Sequence, residues 1–419
     1  MIKRISFALV STALVVSIGL SRADRVQAQF PGVFGAERAP SIAVDRSGKL
    51  YLSMSGATKT AEAHTPGSQI FFTMSKDGGN TWDNTPVTRN LSNSKGEAFG
   101  SSIAVTEGAA RPYIAYHDNV DGPTHVYMLR TKKKAKFKKP VNITPHDGGA
   151  FTPKIAVDVN DGVNVVWGDT SSGGRKVVFL RSTDLAVTFT SPLILSGSSL
   201  NAFDPEIATV QLAASPSGFA IYVVWDDKVD GRGAIMFARS LDAGQTFSEP
   251  ARVSTGPGDA SECSIAADSS GRLHVVWVDT SDGDPEAYYC RSSNGGDSFS
   301  DPVNLSSIRN GEVHKTVVTT FRDRIHVAFN EDVRNKQVFL VTSGNGGDSF
   351  ADPVQVSNAD PGRGRAHSAA MVVDPGGLLH IVWIDSSILG SDEGLMYYTN
   401  TSNGVGFGSK SPIYAFLPN

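Results

Sequence analysis

A single phrase recurs along this chain, and it constrains the fold more than any other feature. Its clearest copy runs Ser264-Ile-Ala-Ala-Asp268, Gly271-Arg-Leu-His-Val-Val-Trp277-Val-Asp279, Ala287-Tyr-Tyr-Cys-Arg291-Ser292, Gly295-Gly-Asp-Ser-Phe299 and Pro302-Val-Asn-Leu-Ser306. The tail returns at Pro86, Pro140, Pro192, Pro250, Pro302, Pro353 and Pro412. One large apolar position returns as Met54, Tyr116, Trp167, Trp225, Trp277, Phe329 and Trp383, so the phrase has seven copies. Each copy, about 50 residues long, holds four apolar runs of strand length separated by Gly, Asp, Asn and Ser. Such a unit cannot bury both faces of its sheet alone. Stacked radially, each sheet covers its neighbour.

The expected fold class is therefore all-β, a seven-bladed β-propeller of four-stranded antiparallel blades. It occupies residues 29–419, with blades starting near 41, 101, 153, 205, 263, 315 and 369. The recurring proline is expected in the fourth, outermost strand, where a missing N–H is tolerated. The 42 Gly, 21 Pro and 19% charged residues suit many short strands joined by turns. The last repeat contains all four of its own strands, so the ring closes by packing between blades, helped by residues 29–36.

Lys3 and Arg4 precede an apolar run from Ile5 to Leu20, followed by small residues at Ala23 and Ala28. That is the pattern of a secretory leader over residues 1–28. Ser11, Thr12 and Ser17 interrupt a run already short for a membrane span. A secreted or periplasmic, monomeric protein with no integral membrane segment after leader removal is expected. The net charge of −4 argues against a nucleic-acid partner. Cys263 and Cys290 fall on the first and third strands of one repeat, about 9–10 Å apart at normal strand spacing, beyond the roughly 7 Å reach of a disulfide. Both are expected as buried free thiols.

Ser75-Lys-Asp77-Gly-Gly79-Asn-Thr81-Trp82 and Ser240-Leu-Asp242-Ala-Gly244-Gln-Thr246-Phe247 are complete S-x-D-x-G-x-[ST]-[WF] motifs. Copies carrying Asn294, Asn345 and Asp184 recur at the same place, the last with Ala186 for Gly. The copies at 131–137 and 401–407 are degenerate or shortened. This series resembles the Asp-box, or BNR repeat, of the sialidase superfamily. The resemblance implies a sialidase-like propeller with the boxes between strands three and four, on the face away from the active site. Locally, Asp77, Asp184, Asp242, Asn294 and Asn345 are expected to bond turn N–H groups.

The opposite, upper face then receives the turns into the first strands and the loops after the second. The latter carry Asp118, Asp169, Asp226 with Asp227, Asp279, Glu331 and Asp385; the former add Arg38, Glu97, Lys154, Asp204, Glu206, Glu262, His314, Lys315, Arg365 and His367. Arg38, Asp118, Asp169, Asp204, Asp227, Glu262, Asp279, His314, Glu331, Arg365, His367 and Asp385 are the expected binding rim. A repeated Asp after a strand also caps turns.

The resemblance implies a substrate-carboxylate clamp at Arg38, since Arg38-Ala39-Pro40-Ser41-Ile42 is similar to the family's F/Y-R-I-P motif. The sequence departs from sialidases elsewhere. Residues 55–69 hold no Asp, only Glu62 and His64; the tyrosine nucleophile has no counterpart; and sialidases have six blades. Arg38, Glu62, Asp227 and Asp279 are the candidate catalytic residues if the chain hydrolyses glycosides.

No cofactor is required by any motif. Asp279-Thr-Ser-Asp282-Gly-Asp284 and Asp226-Asp227 with Asp230 offer oxygens that would suit Ca²⁺, without EF-hand spacing. Lys132, Lys133, Lys134, Lys136, Lys138 and Lys139 form a cationic hairpin around Phe137. The expected function is glycan or protein binding on the upper face, the alternative an exo-acting glycoside hydrolase of sialidase type.

Overall fold

Blade 5 shows how the phrase folds. Ala260–Ala267 pairs antiparallel with Leu273–Asp279, which pairs with Glu286–Ser292, which pairs with the outer Val303–Asn304. Every residue of Leu273–Asp279 is buried, as expected of a strand covered on both faces. Trp277 lies fully buried and stacks on Tyr288 across the register, 6.2 Å between ring centroids.

The computed structural model describes residues 39–58, 67–83, 89–106, 109–131, 136–144, 146, 148–306, 311–332, 336–358, 365–385, 395–404, 406–408 and 410–415. Over these the same sheet is built seven times, and the fold is a seven-bladed β-propeller of four-stranded antiparallel blades. The innermost strands are Ser41–Val44, Ala98–Val105, Ala150–Val157, Phe203–Gln211, Ala260–Ala267, Glu312–Phe321 and Ala366–Val373. In blade 1 the described part of the outer strand is a bridge between Phe71 and Asn90. The leader, residues 29–36, Arg38, Glu62, His64, Pro86 and Lys132–Lys134 lie outside the described residues.

Strand order within each sheet follows chain order, so strand-four-to-strand-one passages carry the chain around the ring. Blade 7 supplies its own outer strand, Ser411–Ala415. Closure is packing: Ile42, Leu50, Leu52, Met54 and Phe71 share one apolar cluster with Val382, Met396, Tyr398 and Ile413. The Tyr398 hydroxyl donates to the Gly78 carbonyl at 2.9 Å, joining positions 320 residues apart. Pro140, Pro192, Pro250, Pro302 and Pro353 stand immediately before their two-residue outer strands; Pro412 lies within its strand, opposite Tyr397. Cys263 and Cys290 are free and buried.

The S-x-D-x-G turns are built alike. Ser75 Oγ donates to Asp77 and accepts the Gly79 N–H, both at 2.8 Å. Asp77 accepts the Thr81 N–H at 2.8 Å and the Thr81 hydroxyl at 2.6 Å. Asp184 and Asp242 repeat these bonds, and Asn294 and Asn345 replace the second with an Nδ2–H donated to Ser298 or Ser349. Five closing aromatics pack on the third strand of the preceding blade. Trp82 meets Tyr398, Phe137 meets Phe72, Phe247 meets Phe179, Phe299 meets Phe237 and Phe350 meets Tyr289, edge to face at 4.7–5.5 Å. The turn is thus a stitch between blades as well as a local fold.

Candidate functional site

Register separates the two ends of the ring. In blade 5, Leu273 pairs with Ser292, where the hairpin turn begins, while Asp279 at the other end of the same strand pairs with Glu286 and Ala260. The turns into the first strands and the loops after the second therefore share the upper face, away from the boxes.

The post-strand-two carboxylates are buried there. Asp169, Asp227 and Asp279 each accept the indole N–H of the tryptophan two residues earlier, at 2.9, 3.1 and 2.9 Å. Asp169 and Asp279 also cap the turn N–H of Ser171 and Ser281, both at 2.8 Å, and His146 Nε2 lies 2.7 Å from Asp169. Asp118 accepts the Ser94 hydroxyl and the Val120 N–H, both at 2.9 Å, and burial holds its pKa above the usual range. Glu331 and Asp385 occupy the same repeat position, likewise buried. Asp118, Asp169, Asp227 and Asp279 have the geometry of caps below the rim.

The rim itself is made by the first strands. In blades 2–7 the pairing slips by a β-bulge just after Phe99, Phe151, Phe203, Ser261, His314 and His367. One residue in each bulge is left-handed: Gly100, Thr152, Asp204, Glu262, Lys315 and Ser368, with φ between 44° and 58°. Glycine takes this conformation without strain, whereas other L-residues incur about 1 kcal/mol or more. Only Gly100 is a glycine. A bulge re-aims its side chain, and all six residues line one central cavity of about 280 Å³.

Ser101, Lys154, Glu206 and Cys263 complete the charged and polar wall. Lys154 is ion-paired with Glu206, which holds the ammonium's pKa up against the opposing effect of burial. Glu262 accepts the Lys315 N–H and its carbonyl accepts the Thr316 hydroxyl, locking blade 5 to blade 6. Behind Glu262, Asp226 accepts the N–H groups of Glu262 at 2.7 Å and Cys263 at 3.3 Å. Burial nevertheless raises the Asp226 carboxyl to about 7, with repulsion from Asp204 adding to it. Burial also pushes the Cys263 thiol well above its ordinary value.

Thus the structure brings Asp204 and Glu262 of the expected rim together, with Lys154, Glu206 and Lys315. His367 Nδ1 lies 3.0 Å from the Ser368 hydroxyl beside the cavity, His314 Nε2 lies 3.8 Å from Glu312, and Arg365 is exposed. Arg38 and Glu62 fall outside the described residues. Thr152, Ser368 and Cys263 were not anticipated. For Thr152 and Ser368 the signal was positional: the left-handed residue stands three before a repeated apolar one, as in Thr152-Pro-Lys-Ile155 and Asp204-Pro-Glu-Ile207. Asp282, in the stretch that offered Ca²⁺ ligands, is occupied by the Tyr288 hydroxyl at 2.5 Å and Asn304 Nδ2 at 2.9 Å. Among the described residues no group of three or more His, Cys, Asp or Glu is placed to hold a metal ion. None of their helices is long and apolar enough to cross a membrane.

The fold is similar to that of sialidase-type and related β-propellers. No protein-family model and no curated protein matches it. Among solved structures, an ulvan lyase from a new family of polysaccharide lyase is 12% identical, with 90% of this chain and 94% of that one covered at a TM-score of 0.53. A protein of unknown function from Dyadobacter fermentans is 14% identical, with 85% and 93% covered and a TM-score of 0.51. A Hadza microbial sialidase is 15% identical, with 77% of this chain covered and a TM-score of 0.50; this chain spans 66% of that sialidase's length. At such identities the likeness is one of fold.

Proposed function

We propose that this chain is an exported carbohydrate-binding propeller whose ligand enters the upper-face cavity. The observation that carries the reading is the set of side chains in left-handed positions around that cavity. A bulge needed only for shape would be met by glycine, as at Gly100. Instead Thr152, Asp204, Glu262, Lys315 and Ser368 accept the strain and turn polar groups toward one space. Asp204, Glu206 and Glu262 accept sugar hydroxyls, while Lys154, Lys315, Thr152 and Ser368 donate. The leader pattern of residues 1–28 supports export, and the propellers that degrade polysaccharide or release sialic acid lend the carbohydrate class.

Binding is favoured over hydrolysis by the state of the carboxyls. Glycosidases need two that reach the scissile bond, about 5–10 Å apart. Asp226 has a pKa suited to a general acid, but it is buried with both oxygens turned to backbone N–H groups. Asp227 and Asp279 are committed to tryptophan and turn bonds, and of the carboxylates that line the cavity Glu206 is paired with Lys154 and Glu262 accepts the Lys315 N–H. The experiment is a glycan array with the mature protein and its Glu262→Gln variant, beside a panel of chromogenic glycosides. Retention without turnover, weakened by the substitution, supports the reading. Sugar release by the wild type would make it an enzyme, and silence on every glycan would end it.

A further inference from the structure

The upper face is not equivalent around the ring. The residue before each left-handed position is Phe99, Phe151 and Phe203 in blades 2–4, but Ser261, His314 and His367 in blades 5–7. Phe99 lies against His117 at 5.9 Å, and the Arg175 guanidinium sits over Phe203 at 5.6 Å. Phe151 meets His117 edge-on at 6.1 Å and lies against Gly149, yet it is 39% exposed. It is anchored beside the cavity, because the next residue, Thr152, lines it and donates its N–H to His117 Nδ1 at 3.3 Å. Blade 4 is adjacent. At Gly168 a Cβ would stand in ordinary contact with both strands, 3.8 Å from the Phe151 carbonyl and 3.9 Å from the Phe203 Cα.

The charges of the cavity point the same way. Asp204, Glu206 and Glu262 face Lys154 and Lys315, one more negative charge than positive. Lys154 is engaged with Glu206. An acidic sugar would bring its charge toward Asp204.

We propose that the cavity selects neutral glycans, stacking one pyranose face on Phe151 and directing the hydroxyls of that unit or the next to Asp204 and Glu262. This rests on the carbohydrate reading above and adds the ligand class. An apolar platform beside a few fixed polar groups is the usual composition of a small-ligand site. A pyranose presents C–H groups on its face and hydroxyls at its edge, and Phe151 offers a surface for the first and the cavity carboxylates acceptors for the second.

The test is calorimetric titration of the mature protein with matched oligosaccharides: galactotetraose against tetragalacturonate, and lactose against sialyllactose. At least one neutral member is expected to bind tenfold or more tightly than its acidic partner. Phe151→Ala should weaken that binding tenfold or more with the unfolding midpoint unchanged, and Phe151→Trp should retain it. Asp204→Asn should narrow the neutral-over-acidic preference. Equal or tighter binding of the acidic members, or neutral binding indifferent to Phe151→Ala, overturns the inference and leaves carbohydrate binding standing. Absence of binding to both arms overturns both.

Discussion

Asp226 offers the sharpest test of the electrostatics around the cavity. Its carboxyl is buried and sits at about 7 instead of the ordinary 3.8, because burial outweighs the two N–H groups that favour the charged form. Between those values the folded chain holds a proton that the unfolded chain releases. Stability is therefore lost as pH rises from about 4 and the loss is complete above about 7. At about 1.36 kcal/mol for each tenfold change in proton affinity, the full penalty is on the order of 4 kcal/mol above neutrality and under about 1 kcal/mol at pH 4. Asp226→Asn removes the charge but has only one acceptor oxygen for two N–H groups, at a cost of about 1 kcal/mol. The variant should match the wild type near pH 4 and exceed it by about 3 kcal/mol at pH 8. Reversible guanidinium unfolding from pH 4 to 8.5 measures this difference directly. A difference flat with pH, or one that falls toward pH 8, would refute the argument, since it would mean that the fold holds Asp226 as a carboxylate.

Three further outcomes are expected. Trp277→Phe should destabilise by about 1 kcal/mol more than Trp383→Phe, because the Trp277 indole donates to Asp279 at 2.9 Å and the Trp383 indole N–H is buried without an acceptor; denaturant midpoints of the two variants decide it. Tyr398→Phe should cost about 1–2 kcal/mol by calorimetry, since its hydroxyl links His380 Nδ1 at 2.7 Å to the Gly78 carbonyl across the ring closure. Asp268→Asn should cost about 3 kcal/mol at pH 7: burial opposes the charge, but His274 and Arg272, the latter at 2.6 Å, bring the carboxyl down to about 2. That cost should shrink as pH falls from about 4 toward 2, because the native carboxylate's advantage is present above the unfolded pKa and lost on protonation. A cost unchanged at pH 2.5 would rule out the charge as its source.

The residues of the candidate site were legible to different degrees. Asp204 and Glu262 stood out as charges at varied positions of the repeat, and both line the cavity. The acidic series after the second strands read equally as rim or as cap, because the motif Trp-x-Asp does not say where the carboxylate turns. Asp226 and Asp227 show the ambiguity at its smallest. Adjacent strand residues face opposite ways, so Asp227 bonds Trp225 while Asp226 turns to the next blade's bulge.

Seven repetitions of a local pattern were enough to specify four-stranded sheets, their number and the opposition of the two faces, because strand alternation and turn chemistry act between near neighbours. The free thiols followed from the same strand spacing. What needed the folded ring were contacts between blades: the aromatic stitches, the Tyr398 closure, and the bulges that turn Thr152, Asp204 and Lys315 inward. Such features depend on how one sheet seats against another. That is set by packing between residues tens to hundreds of positions apart, so the repeat marks where the bulges and aromatics fall but not what they meet.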